Sequence, residues 1–294
     1  MSVSLYDKYT PGYLKDVYTG ASHTNGAHQY GGRVALQWDP KSDLSIKFNA
    51  IEARISADDA ATESFAGATQ TPNANGANII TTSHPYGDLT ENEAFPETFR
   101  KDLTYLSASA NWNPGPVDVI SATSWSRTKA YADQDQTQNA SLLLGAFGFP
   151  NSKVLGQENV GLDKFTQELR MVSPEGNRVS WIVGGYYDYE RATNDQFSLA
   201  YNGAYQLIPA FAPYAFSAFL PTKFEEYALF ADVTWKITDQ FDLTGGLRYA
   251  DNEQRFTSTG AGAPSPRVSF ALESGRAVTA KLSVTPEPRV FARP

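Results

Sequence analysis

Four of the five tryptophans in this chain lie beside short turns, and these turns recur at intervals of about 60 to 75 residues. The pairs are Trp38 before Asp39-Pro40-Lys41-Ser42, Trp112 before Asn113-Pro114-Gly115-Pro116, Trp181 after Pro174-Glu175-Gly176-Asn177, and Trp235 before Ile237-Thr238-Asp239-Gln240. Long polar stretches separate one turn from the next. Short turns and an aromatic girdle at one end of the strands, with long loops at the other, are the organisation of a transmembrane β-barrel. The pattern predicts such a barrel, with tryptophans marking the rim at the short turns.

Residues on either side of the turns alternate between apolar and polar with a period of two, which indicates β-strands. The apolar faces are Val34, Leu36 and Trp38; Leu44, Ile46, Phe48 and Ala50; Phe165, Leu169 and Met171; Trp181, Val183, Gly185, Tyr187 and Tyr189; Tyr227, Leu229, Ala231, Val233 and Trp235; and Phe241, Leu243, Leu247 and Tyr249. A less regular pattern predicts two further strands over 102–112 and 117–130.

Alternation also occurs in soluble β-sandwiches, where each strand likewise has one apolar and one polar face. Strand length separates the two folds. Several of these strands run 11 to 16 residues, whereas soluble strands have a mode of about 5–6 and a tilted membrane strand needs about 9–11. Tryptophan near strand ends, where its ring meets lipid headgroups, favours the barrel. Its general preference for strands is the alternative explanation.

Three connections are long and rich in Ala, Asn, Thr, Gly and Pro: residues 55–101, 131–162 and 192–222. Structureless loops of this length are uncommon in compact domains but are expected on the extracellular side of a barrel. A fifth tight turn is predicted at Thr285-Pro286-Glu287-Pro288. With an N-terminal strand near Tyr13 to Tyr18, the pattern predicts about ten strands in all.

Composition excludes several classes of protein. The net charge of -8, without a basic stripe, argues against a nucleic-acid partner, and the absence of cysteine excludes disulfides and thiolate chemistry. No apolar run approaches the roughly 18 residues of a transmembrane helix. The segment from Met1 to Asp7 has neither a basic nor an apolar signal-peptide region. Because an outer-membrane protein requires one, we expect the chain to be a fragment.

Residues capable of metal binding or catalysis are few, and their spacing argues against a site. His23, His28 and His84 lie in predicted loops and lack the spacing of zinc ligands. Asp133-Gln134-Asp135 resembles part of a calcium loop, but no glycine or distal glutamate follows in register. No Ser/His/Asp order with a nucleophile elbow is present. We therefore expect no catalytic residue, no cofactor and no metal ligand.

Other residues have a structural interpretation beside a functional one. Gly184-Gly185 and Gly245-Gly246 lie inside strands, where glycine allows bending or close packing rather than phosphate binding. The polar faces carry six charged residues expected to give the lumen general polarity, with contact to a plug or ligand as the alternative: Glu168, Arg170, Asp188, Glu190, Asp232 and Arg248. Six loop aromatics are expected either to contact ligand or to pack the loop on itself: Tyr201, Tyr205, Phe211, Tyr214, Phe216 and Phe219.

Three segments resemble barrel strands of TonB-dependent outer-membrane receptors: Phe165 to Pro174, Trp181 to Glu190 and Tyr227 to Tyr249. The likeness covers mainly residues 160–250 and is weaker over 31–131. It implies an all-β fold, an antiparallel transmembrane β-barrel with short periplasmic turns and long extracellular loops. The family's barrel has about 22 strands around an N-terminal plug. Residues 1–294 are therefore expected to be a partial barrel domain, with the plug domain and the C-terminal strands absent.

The resemblance implies a receptor and transporter in the outer membrane of a Gram-negative bacterium, not an enzyme. Its expected partners are outer-membrane lipid, the plug domain and TonB complex of the full-length receptor, and a small-molecule ligand such as a ferric siderophore. Ligand identity and ligand-contacting residues are not predicted. A passive porin-like channel and a secreted glycan-binding β-sandwich are the alternatives. Without closing strands, the chain alone is expected neither to transport nor to insert stably, so its band in a heat-modifiability gel should not shift.

Overall fold

The computed structural model describes residues 1–64, 66–72, 78–83, 85–174, 176–238, 241–262, 265–273 and 277–286. Its strands are β1 (Ser2–Thr10), β2 (Lys15–Asp16), β3 (Ala27–Lys41), β4 (Leu44–Ala57), β5 (Ala66–Pro72), β6 (Asn78–Ser83), β7 (Thr90–Glu91), β8 (Phe99–Trp112), β9 (Asp118–Asp135), β10 (Lys153–Val172), β11 (Val179–Tyr201), β12 (Phe216–Phe219), β13 (Thr222–Thr238), β14 (Phe241–Gly262), β15 (Ser265–Glu273) and β16 (Ala277–Pro286). One α-helix, α1 (Thr137–Ala146), and one short 3-10 helix, η1 (Pro209–Phe211), complete the described elements.

One antiparallel sheet of twelve strands dominates the fold, in the order β1-β3-β4-β8-β9-β10-β11, then β12 with β13, then β14, then β15 with β16. β12 and β13 pair with successive parts of β11, and β15 and β16 pair with successive parts of β14. Each of these two pairs is one interrupted strand, so the described sheet is ten strands wide. The prediction of about ten long antiparallel strands is confirmed.

The two faces of this sheet differ in chemistry. One face, called the apolar face below, carries large exposed hydrophobic side chains on β3, β4, β8, β10, β11, β13 and β14: Leu36, Trp38, Phe48, Leu106, Trp112, Leu169, Met171, Val183, Tyr227, Leu229, Val233, Trp235 and Leu247. Residues in the intervening positions form the opposite, polar face. All four turn-flanking tryptophans lie on the apolar face, near the end of the sheet where the short turns connect the strands. An apolar face open to the surroundings is the reverse of a soluble β-sheet.

Short turns join the strands at the tryptophan end. Asn113 accepts a hydrogen bond from the backbone N–H of Gly115 at 3.0 Å, and Gly115 has φ +108°, so this turn uses Asn and Gly in conformations that they favour. The first turn is displaced from its predicted position: β3 continues through Pro40 to Lys41, and the register shifts between Trp38 and Lys41. A bulge at the strand end accommodates a proline that has no N–H to donate.

Parts of the other predicted turns lie outside the described residues, namely Glu175, Asp239 and Gln240, and Glu287 with Pro288. β16 extends to Pro286, the second residue of the predicted fifth turn, so this turn stays a prediction.

Three sequence predictions about the loops and the first strand are wrong. The N-terminal barrel strand is β1, which pairs with β3, whereas the segment from Tyr13 to Tyr18 contains only the two-residue strand β2. The predicted loops 131–162 and 192–222 are strand over about half of their length, because β9, β10 and β11 extend the ladder to Asp135, Lys153 and Tyr201. In the parts of these strands that extend past the apolar face towards the long connections, apolar and polar residues no longer alternate, although the backbone pairing continues.

The long connections carry the compact part of the chain. Helix α1 packs Leu144 against Val154, Ala200, Ile208 and Phe211 in the buried cluster of this end. β2 pairs in parallel with β7, which brings the N-terminal segment against the connection between β4 and β8. Within the described residues, no helix is both long enough and apolar enough to cross a membrane.

Candidate functional site

A ladder of charged residues crosses the polar face at mid-sheet. Lys164 of β10 donates a hydrogen bond to Oδ2 of Asp188 at 2.9 Å and another to Glu190, both on β11. Asp188 is only 6% exposed, so Lys164 provides the charge that permits its burial. The hydroxyl of Tyr186 also donates to Oδ2 of Asp188, at 3.1 Å.

A second part of the ladder lies on β13 and β14. Arg248 donates to Oε1 of Glu226 at 2.5 Å, and its guanidinium lies 5.4 Å from the ring centroid of Tyr186. This places a second cation–π and ion-pair unit beside the Lys164 unit. Of the predicted polar-face residues, Asp188, Glu190 and Arg248 are thus brought together.

Glu168 and Arg170 pair with each other at 3.2 Å along β10. Two buried polar atoms of the ladder have no hydrogen-bond partner among the described residues, Nε of Arg170 and Oδ1 of Asp188. Buried polar atoms are normally paired, so Nε of Arg170 can donate a hydrogen bond to another group on the polar face, and Oδ1 of Asp188 can accept one. The charged ladder therefore has one unused donor and one unused acceptor.

One glycine of each pair inside a strand, Gly184 and Gly246, has the close-packing role that the sequence predicted. A Cβ at Gly184 would come 2.5 Å from Cζ of Phe230, and one at Gly246 would come 2.5 Å from Oδ2 of Asp232. Both contacts lie on the polar face, where Asp232 approaches the backbone of β14 closely. These positions admit no larger side chain without rearrangement.

At the long-loop end, Lys153 lies among aromatic rings. Its Nζ is 3.3 Å from the ring centroid of Tyr205 and 5.6 Å from that of Tyr18, and it donates to the carbonyl of Gly203 at 2.9 Å. Phe95 packs on the ring of Tyr205 in a T-shaped contact at 5.5 Å. We call Tyr18, Phe95, Lys153, Tyr201 and Tyr205 the loop-end aromatic cluster. Lys153 is itself buried, with 7% of its surface exposed, whereas Tyr18 and Tyr205 are exposed, so the cluster offers flat aromatic surface backed by a fixed cation.

The six predicted loop aromatics divide between packing and exposure. Phe211 is buried against Phe149 at 5.1 Å, so it packs the loop. Tyr201 contacts Phe95 at 5.3 Å, and Tyr205 donates through its hydroxyl to the carbonyl of Ala94 at 3.0 Å while its ring stays exposed. The three others remain exposed, with Tyr214 and Phe219 touching Phe197: Tyr214, Phe216 and Phe219.

The histidines do not assemble into a metal site among the described residues. His28 lies in β3, not in a loop as predicted, and its Nε2 hydrogen bonds to Asp7 at 2.5 Å. It lies there because β1 and β3 pair beyond the predicted strand start. His23 occupies a turn with φ +61°, and His84 lies outside the described residues.

Sequence reasoning missed a group of three carboxylates at the loop end. Asp59, Glu91 and Glu93 each place a carboxylate oxygen within 4.8 Å of the other two. Burial, followed by the charges of Glu97 and Asp59, raises the pKa of Glu93 to about 8. Burial also raises the pKa of Asp59 and of Glu91. The first residue is more than thirty positions from the others, so no local motif marks this cluster.

Three solved receptor structures share this fold. The ferric yersiniabactin uptake receptor FyuA from Yersinia pestis aligns with a TM-score of 0.69 at 16% identity over 96% of this chain and 39% of its own. The ferric citrate transporter FecA aligns with a TM-score of 0.60 at 11% identity over 98% of this chain and 37% of its own. The ferric-catecholate import receptor Fiu from E. coli K12 aligns with a TM-score of 0.56 at 12% identity, covering 96% and 42%. The chain thus spans about two fifths of the length of the solved receptors that it matches.

No curated protein matches the sequence. The family described as TonB dependent receptor-like, beta-barrel matches residues 38–285, which include every long strand from β4 to β14. The match agrees with the wide antiparallel sheet, its apolar face and its tryptophan-flanked turns. On this sequence match, the chain belongs to the family of TonB-dependent receptor β-barrels.

Proposed function

We propose that the chain is part of an outer-membrane TonB-dependent transporter that takes up a scarce small molecule, with a ferric chelate such as a ferric siderophore as the ligand class. Three solved structures with the same fold are named for ferric complexes: ferric yersiniabactin, ferric citrate and ferric catecholate. The family match supports a receptor rather than an enzyme. Location in the outer membrane of a Gram-negative bacterium follows from the same proposal.

The observation that carries the membrane placement is the height of the apolar face. On β13 the face runs from Tyr227 to Ile237, and Glu225 and Lys223 follow at its upper end. Ten residue steps rise roughly 33 Å along a strand. A tilt of about 40° reduces this to about 25 Å, the height of the lipid-facing band in such barrels.

The charges above the apolar face match the headgroup region. Arg127 pairs with Asp163 at 2.6 Å and lies 5.4 Å from the ring centroid of Trp125. Lys223 lies 5.2 Å from the ring centroid of Tyr189 and 3.5 Å from Glu225. Aromatic rings followed by charges are expected where hydrocarbon gives way to polar headgroups.

In this proposal the polar face lines the lumen, and the charged ladder offers its unused donor and acceptor to a plug domain or a passing ligand. The loop-end aromatic cluster makes the first contact with ligand at the extracellular mouth. The exposed rings of Tyr18 and Tyr205, backed by the buried ammonium of Lys153, would stack on an aromatic chelate such as a catecholate. In the proposed receptor, a plug domain and the TonB complex supply the energised step.

Uptake of radiolabelled ferric chelates by cells with and without the encoding gene tests the proposal. We expect gene-dependent uptake of at least one ferric chelate and its loss on addition of a protonophore, because TonB-dependent import requires energy. Gene-dependent uptake that a protonophore leaves unchanged would instead indicate a passive porin-like channel. Recovery of the protein in the soluble fraction without detergent would indicate a secreted β-sandwich.

The substitution Lys153→Met tests whether the loop-end aromatic cluster takes part in ligand binding. Lys129→Met, on the same side of β9 as Trp125, is the comparison. Lys129 is exposed and has the same charge. We expect the first substitution to weaken ligand binding at least about tenfold if the cation is a binding contact, and the second to leave it unchanged.

A further inference from the structure

The carboxylates of Asp59, Glu91 and Glu93 converge where three chain segments meet. Asp59 follows the end of β4, Glu91 lies in β7, and Glu93 is two residues further along. Through β7 the group also contacts the N-terminal segment, since the hydroxyl of Thr24 donates to Oε1 of Glu91. The cluster thus joins the β4–β8 connection to the residues between β1 and β3.

Two oxygens of this cluster are buried without a hydrogen-bond partner among the described residues: Oε2 of Glu91 and Oε2 of Glu93. Glu91 is fully buried, with 0% of its surface exposed. A buried acceptor without a partner is costly, and here two of them lie on adjacent carboxylates. The two buried oxygens without hydrogen-bond partners are an observation independent of the spacing of the carboxylates. They point to a positively charged group between the carboxylates.

No side chain in the described part of the chain supplies that charge. The described ion pairs of Lys, Arg and His involve other carboxylates, and none includes Asp59, Glu91 or Glu93. The neighbouring Asp16, Glu97 and Asp135 are acidic as well. Several carboxylates packed together without a cation repel one another, which a bound metal ion would relieve.

The surrounding backbone holds the cluster in place. Asp59 accepts hydrogen bonds from the backbone N–H groups of Glu97 and Ala60 at 2.7 and 2.9 Å, through the same oxygen, Oδ1. The backbone N–H of Val17 donates to the carbonyl of Glu91 at 2.9 Å. The second oxygen of Asp59, Oδ2, is therefore left for a ligand. The backbone of Glu91, whose carboxylate bears a buried acceptor, is fixed by the contact between β2 and β7.

The donor set selects the kind of ion. All three side chains offer carboxylate oxygens and no nitrogen or sulfur, which favours a hard cation. Ca²⁺ accepts about six to eight oxygens in flexible geometry and gives up its water more readily than Mg²⁺, which suits a cluster whose Glu91 is fully buried. Mg²⁺ requires shorter bonds of about 2.0–2.1 Å and a more regular octahedron.

We propose that Asp59, Glu91 and Glu93 bind one Ca²⁺ ion, which fastens the β4–β8 connection to the N-terminal segment at the loop end of the barrel. Water and neighbouring oxygens complete the coordination. Calcium binding here does not depend on the transport function proposed above.

Calorimetric titration of the full chain in detergent with CaCl₂ at pH 7.5, after treatment with a chelator, tests the site. We expect one ion per chain, and a thermal midpoint that rises by about 5 °C at a Ca²⁺ concentration 100 times Kd. Asp59→Asn and, separately, Glu91→Gln should each weaken binding at least about tenfold. Asp88→Asn, an exposed position in the same connection with the same change of charge, should bind as the wild type does.

Three results would overturn the proposal. The first is the absence of both binding heat and a midpoint shift in wild-type chain whose near-ultraviolet circular dichroism shows it to be folded. The second is an equal response to MgCl₂ at the same concentration, which would remove the assignment to calcium. The third is an equal loss of binding in Asp88→Asn, which would place the ion elsewhere. If either Asp59→Asn or Glu91→Gln does not fold, the titration of the wild type and of the other variant decides whether the proposal stands.

Discussion

The ring of Phe230 on β13 lies directly over Gly184 on β11, its partner in the ladder. A Cβ atom added at Gly184 would come 2.5 Å from Cζ of this ring and 2.9 Å from the carbonyl oxygen of Leu169. The ring can turn aside, but the carbonyl belongs to the backbone of β10. Atoms of both neighbouring strands, β10 and β13, therefore occupy the space that a side chain at position 184 would need.

We predict that Gly184→Ala destabilises the folded chain by about 1–3 kcal/mol, the usual cost of overpacking. Gly185→Ala is the matched control, because its added Cβ would meet Leu229 at an ordinary 3.6 Å. Urea denaturation in detergent micelles measures both. Equal stability of the two variants would show that β10 and β13 adjust freely around β11.

Removal of the Lys164 ammonium should destabilise the sheet from its polar face. Lys164→Met leaves the nearly buried Asp188 and its neighbour Glu190 without their cation. We expect a loss of about 1–3 kcal/mol, less than for a fully buried pair because Lys164 is partly exposed. Lys223→Met, which breaks the exposed pair with Glu225, should cost less than about 1 kcal/mol. Denaturation midpoints compare the two, and a larger effect at Lys223 would contradict the prediction.

In chelator, the chain should be less stable at pH 8.5 than at pH 5.5. Burial and neighbouring carboxylates raise the pKa of Glu93 from 4.5 to about 8 in the folded state. Between these values the folded state binds a proton that the unfolded state has released, so the free energy of unfolding falls as the pH rises. Above about 8 this loss is complete.

Thermal midpoints at pH 5.5 and 8.5 check the pH dependence. Glu93→Gln should flatten it, because the group no longer titrates, whereas Asp88→Asn should leave it unchanged. A wild-type midpoint that is higher at pH 8.5 would be incompatible with protonation of this cluster.

Quenching of tryptophan fluorescence by lipid-attached bromine tests the membrane placement. In the assembled receptor that contains this chain, variants retaining only Trp38, Trp112 or Trp235 should be quenched most by bromine near the headgroups, because all three rings are exposed on the apolar face beside short turns. A variant that retains only Trp125 reports the depth of the other end of the apolar face in the bilayer. Acrylamide quenching without any effect of brominated lipid would place these rings in water.

The long strands were predictable because apolar residues recur at every second position where a strand contributes to the apolar face. Leu229, Val233 and Trp235 show it clearly, and the tryptophans indicated which end carries the short turns. Strand extent was not predictable above the apolar face, where successive residues such as Asn194 and Asp195 place polar side chains on both sides of the sheet. Helix α1 was missed because its stability comes from the contacts of Leu144 with Val154 and Phe211, which are distant in sequence. For the same reason Asp59 and Glu91 gave no local signal of their proximity.

β11 continues for twelve residues beyond Tyr189, where the charges above the apolar face begin, and ends at Tyr201 in the loop-end aromatic cluster. At about 3.3 Å per residue this is roughly 40 Å along the strand. The Debye length at physiological ionic strength is about 8 Å, several times shorter. In a bilayer, counterions would therefore screen the phosphate charges of the membrane surface before they reach the cluster. The electrostatic potential met by an arriving ligand would be set by Lys153 and the surrounding carboxylates, and would be insensitive to lipid composition.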